Sequence, residues 1–188
     1  IRTEEDVYNL IISDSLKQKG SCPSSVRKIE EEIVDKYGIT AVNLCEMNED
    51  FADEISYVVK YIYDEFPEAR NYLTNLTLAN VGNDNSFIAA FMPIFTFSTS
   101  NSTTGYPVAT KTQIILNAKY FLNNEKIKNS VSYGTKSGYF PSNATRSSTV
   151  AHEFGHYLSY IALLNYYETD KLNYVRANDT TILYDVYD

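Results

Sequence analysis

Both histidines of the chain lie four residues apart, His152 and His156, in the run Thr149-Val-Ala-His-Glu-Phe-Gly-His-Tyr-Leu-Ser-Tyr160. On an α-helix that spacing brings two side chains to one face about a turn apart, so both imidazoles can address a single metal ion. Glu153 follows the first histidine directly. It falls outside their stack, but its carboxylate can lean over the edge of the site and hold water there. Zinc suits this set of groups: it lowers the pKa of water, and the carboxylate takes the proton as that water attacks a carbonyl. The alternatives are buried histidines used as hydrogen-bonding groups, a metal held without catalysis, or chance. With two histidines in 188 residues, both in this spacing around a glutamate, chance is a weak explanation.

Around these residues Val150, Phe154, Tyr157, Leu158 and Ile161 form an apolar stripe at helical spacing, which predicts a buried helix over about 148–167. Ser147 or Ser148 can cap its first turn. Gly155 costs such a helix about 0.5–1 kcal/mol relative to alanine; a closely packed neighbour would explain it, and so would simple tolerance. The loop Gly138-Tyr-Phe-Pro-Ser-Asn-Ala-Thr145 precedes the helix and is expected to shape one end of the cleft.

The segment His152–His156, with the hydrophobic residues around it, resembles the zinc-binding helix of the zincin metallopeptidases, the His-Glu-x-x-His type. The resemblance implies Zn2+ held by His152 and His156, Glu153 as general base, a third protein ligand further along the chain, and a peptide or protein substrate. A wider block, from Ile114-Ile-Leu-Asn117 through Gly138-Tyr-Phe-Pro141 to the helix, is similar to metallopeptidase domains of bacterial mobile elements and phages. The metzincin branch continues with a glycine three residues and a histidine six residues after the second histidine. Ser159 and Ala162 occupy those positions, which excludes that branch. A carboxylate third ligand, as in gluzincin-like or aspzincin-like enzymes, stays open, with Glu168, Asp170, Asp179, Asp185 and Asp188 downstream. A ligand absent from this chain and a two-histidine site completed by water also stay open. The start at Ile1 and the end on Tyr184-Asp-Val-Tyr-Asp188 give the expectation of a domain from a longer protein.

The expected reaction is hydrolysis of a peptide bond, with a further donor steadying the oxyanion. Tyr139, Tyr157, Tyr160, Tyr166, Tyr167 and Arg146 have the right chemistry; for Tyr157, on the apolar stripe, a core role is the stronger expectation. Two rival readings are a noncatalytic binding or scaffold domain with a zincin-like helix, and a zinc amidase acting on cell-wall material.

A length of 188 residues supports one core, so a single domain is expected, mainly helical over 1–70 and carrying the sheet and zinc helix over 71–188. A net charge of −8 and the lack of a basic patch argue against nucleic acid as a partner. No apolar run reaches transmembrane length. Oligomeric state and compartment are not legible. Cys22 and Cys45 can form a bridge, but free thiols are the stronger expectation. The 17 tyrosines fit a groove for extended chains and fit a usage bias toward Tyr, Asn, Ile and Lys equally well; the bias is the preferred explanation.

The elements that would position the site follow from periodicity. Helices are predicted from Thr3 to near Gly20, from Ser24 or Ser25 to Tyr37 with Gly38 as the stop, from an Asn48 or Asp50 cap through Phe66, and over 119–128. Strands are predicted over 39–44, 72–79, 87–98 and 110–116, with a polar loop over 98–105. The sum is an α+β, zincin-like domain with N-terminal helices and a small mixed or antiparallel sheet packed against the histidine helix. Zincins commonly run an edge strand along the cleft to pair with extended substrate, a role that 87–97 or 111–116 can fill.

Overall fold

The computed structural model describes residues 22–81, 87–98 and 106–166. The predicted helix at Thr3–Gly20, the 98–105 loop beyond Ser98, and all five downstream carboxylates lie outside these residues.

The fold is α+β. Helix α1 (Ser24–Tyr37) turns Val26, Ile29 and Ile33 inward and stops at Gly38, whose left-handed φ of 69° suits glycine and whose N–H closes onto Val34 O. After the short strand β1 (Ala41–Asn43), helix α2 (Glu49–Glu65) starts where Asn48 accepts the Asp50 N–H and carries two acidic residues in its first turn. Pro67 ends it and opens a short 3-10 turn over Pro67–Ala69. Strands β2 (Asn75–Ala79), β3 (Ala89–Ser98) and β4 (Tyr106–Asn117) complete a mixed sheet in the order β1-β2-β4-β3. β1, β2 and β4 are parallel, and β3 is antiparallel to β4 at the edge.

The helix predicted over 119–128 is two helices: α3 (Ala118–Phe121) and α4 (Asn124–Lys136), with Asn123 capping the second by accepting the Lys126 N–H. α4 is mostly polar, and only Ile127, Val131 and Gly134 are buried, so its inward stripe is too thin to show its length in the sequence. Helix α5 (Ser148–Tyr166) is the histidine helix.

Strand alternation divides the sheet. Leu76, Leu78, Ile114 and Leu116 join Val42 and the helices in the main core, with Phe51, Tyr63, Phe154 and Tyr157 among its largest fully buried side chains. Thr77, Gln113 and the smaller Ala79–Ile115 cluster belong to the other face. Cys22 and Cys45 are joined in a disulfide, which corrects the expectation of free thiols. The bridge ties the approach to α1 to the turn after β1, and the buried Glu30 carboxylate sits against both sulfurs and accepts the Leu44 N–H.

Candidate metal and catalytic site

α5 is anchored at its start and along one side. Before its first turn, Arg146 grips Glu54 of α2 with two nitrogens (3.0 and 2.7 Å), donates to Asn124 Oδ1, and lies over the Phe51 ring. Arg146 is therefore committed to holding α5 against α2 and α4, away from an oxyanion role. The Ser148 hydroxyl accepts the Thr145 N–H, fastening the preceding loop. Further along, Phe154 and Tyr157 are fully buried, and the Tyr157 hydroxyl donates to Ala69 O. Tyr160 is buried too and, with Tyr157, packs against Phe91 of β3. The core role expected for Tyr157 is what the packing shows. Nothing lies within 4 Å of a Cβ built on Gly155, so close packing does not explain that glycine.

With one face of the helix locked, His152, Glu153 and His156 fall on or beside the other. The two Nε2 atoms stand 3.1 Å apart, and the rings meet edge to face at 4.8 Å. A third polar atom joins them: the Tyr139 hydroxyl is 3.0 Å from His152 Nε2. Burial, and then the neighbouring His156, hold the His152 pKa below the usual imidazole value, which favours the neutral ring that ligates metals.

Glu153 leans the other way, to the sheet. Its Oε2 accepts the Phe91 N–H at 2.8 Å. Burial pushes its carboxyl up to about 7, against the opposing pull of that hydrogen bond. Phe91 lies opposite Ile114 of β4 in register, but strand alternation aims its amide outward, where Glu153 meets it. Two residues on, Pro93 has no N–H to present on that same side.

Of the predicted oxyanion donors, the structure brings Tyr139 to the histidines and places Arg146, Tyr157 and Tyr160 elsewhere. The side chain of Tyr166 and all of Tyr167 are outside the described residues, as are Glu168, Asp170, Asp179, Asp185 and Asp188. Among the described residues, the one group of three or more His, Cys, Asp or Glu close enough to share an ion is Cys22, Glu30 and Cys45. Its two sulfurs are bonded to each other and are not thiolates, so it lacks the ligands zinc takes. The histidine pair offers two donors from that set, with Tyr139 as an oxygen beside them.

Two cavities flank α4. One, of about 1030 Å³, is lined by polar and charged groups including Asp50, Glu54, Lys128 and Arg146, and contains neither histidine. The other, of about 550 Å³, is aromatic and includes Tyr139. No helix among the described residues is long and apolar enough to cross a membrane. No family model, curated protein or solved structure matches the chain.

Proposed function

We propose that this chain is a zinc-dependent peptidase of the zincin type, with His152 and His156 as metal ligands and Glu153 as general base. The observation that carries the reading is the 3.1 Å approach of the two Nε2 atoms. Nitrogens about 2.0–2.1 Å from a tetrahedral zinc stand about 3.3–3.4 Å apart, so the donor spacing and chemistry fit that ion with a small adjustment. Of the two strands expected to line a substrate, β4 is internal and β3 is the sheet edge beside α5, where the Phe91 amide is held by Glu153 and Pro93 has none.

A bound zinc supplies a Lewis-acid centre and a water of lowered pKa. Glu153 takes a proton from the attacking water through Oε1, because Oε2 is held by the Phe91 amide. Once protonated, Glu153 can return the proton to the departing amine. Tyr139 is the donor set beside the histidines for a carbonyl oxygen that gains charge.

A noncatalytic metal-binding domain is the second reading, favoured by the meeting of only two ligand side chains of the usual types among the described residues. The two separate when zinc-loaded protein and its Glu153→Gln variant digest a peptide library while zinc content is measured. The variant is expected to keep zinc and cleave about 10²–10⁴-fold more slowly. Equal cleavage by both rejects Glu153 as the base, and retained zinc without any cleavage favours the noncatalytic reading.

A further inference from the structure

Tyr139 belongs to two features at once. Its hydroxyl touches His152, and its ring forms part of the 550 Å³ cavity with Ile88, Tyr120, Tyr133 and Phe140. The cavity has the size of a small-ligand site. Among the described residues no acidic or basic side chain lines it; its polar side chains are Asn129, Ser130, Ser137 and the three tyrosines. Part of its wall comes from segments that build the candidate site: Ile88 directly precedes β3, whose Phe91 holds Glu153, and Tyr139 and Phe140 lie in the loop leading to α5; the rest comes from α3 and from α4 and its C-cap. Phe140 packs edge to face on both Tyr139 (5.0 Å) and His152 (6.1 Å), so a continuous aromatic surface runs from the cavity to the histidine. Gly134 makes that packing possible, because a Cβ there would stand 2.5 Å from the Phe140 ring. Tyr133 and Tyr139 are 75 % and 65 % exposed, which leaves large apolar faces open to water at the cavity mouth.

We infer that this cavity receives the side chain of a substrate residue flanking the bond to be cut, and that it selects large aromatic or aliphatic side chains over charged ones. The inference rests on the peptidase reading above. Aromatic walls reward rings in offset or edge-to-face contact, and a charged side chain entering them loses hydration and meets no opposite charge among the described lining residues.

The test has two arms, using the full chain. Binding is measured first, by NMR saturation transfer and titration with N-acetyl-phenylalanine amide and N-acetyl-aspartate amide, on wild-type and Tyr133→Asp proteins. The Tyr133 ring is exposed, so the variant should fold. The phenylalanine probe is expected to bind at least about tenfold more tightly to wild type, with the advantage lost in the variant. The second arm is zinc-dependent cleavage of a peptide library. Wild type is expected to cut next to Phe, Tyr, Leu or Met about tenfold faster than next to Asp or Lys, and Tyr133→Asp to shift the preference toward Lys. Cleavage without that preference, or a preference unmoved by the variant, overturns the inference and leaves the peptidase reading standing. Selective binding of the phenylalanine probe without cleavage of any peptide overturns the peptidase reading and, with it, the substrate role of the cavity. Equal binding of the two probes overturns the cavity's selectivity by itself.

Discussion

Glu153 has two surroundings that oppose each other: an apolar setting that favours its neutral form and one backbone amide that favours its anion, with burial the stronger. The metal-free protein should record this in its stability. A carboxyl whose folded pKa is raised to about 7 contributes stability that is fully present below about pH 4.5 and is lost as pH rises through 7. In chelator-treated protein, Glu153→Gln is therefore expected to raise Tm relative to wild type at pH 8 and to give no such gain at pH 4, as thermal scans across that range would show. Gly155 makes a separate prediction. It lies inside α5 with open space where a Cβ would go, so Gly155→Ala should stabilise the protein by about 0.5–1 kcal/mol in urea unfolding. At this scale the histidines and Glu153 were legible because one helical turn relates them. Tyr139 was one name among six, since its place depends on how a loop folds back over 13 residues, and no periodicity reports that.

Between elements, Arg146 is a polar fastening of the histidine helix, as it joins the start of α5 to α2 and to the first residue of α4. Arg146→Ala is expected to cost about 1–2 kcal/mol in urea unfolding. The ion pair contributes modestly because Glu54 is 41 % exposed, and the uncovered Phe51 ring adds to the loss. Arg146→Lys should recover only part, since an ammonium cannot grip both carboxylate oxygens in parallel. The stop of α1 at Gly38, the Asn48 cap and the Pro67 stop were readable because caps and breakers act locally. α4 was not, since three buried positions in thirteen leave little amphipathic signal. The mixed pairing of the sheet depends on long-range partners that the alternation of a single strand does not name.

For the whole molecule, the disulfide joins cysteines separated by 23 positions and closes a loop that holds α1 and β1. Chain-entropy arguments put such a closure at about 3 kcal/mol. Cys45→Ser, or reduction of the wild type, should lower the urea midpoint accordingly, with circular dichroism and a thiol count as the readouts. Spacing in the sequence did not reveal the bridge, because the partners meet only after α1 has packed beside β1. Pro93 also acts at this scale. β3 is the open flank of the sheet, and along it the Phe91 amide is occupied by Glu153 while Pro93 has no amide at all. A second copy of the strand would find carbonyls there and few N–H groups to answer its own, so self-templated stacking stalls at that point.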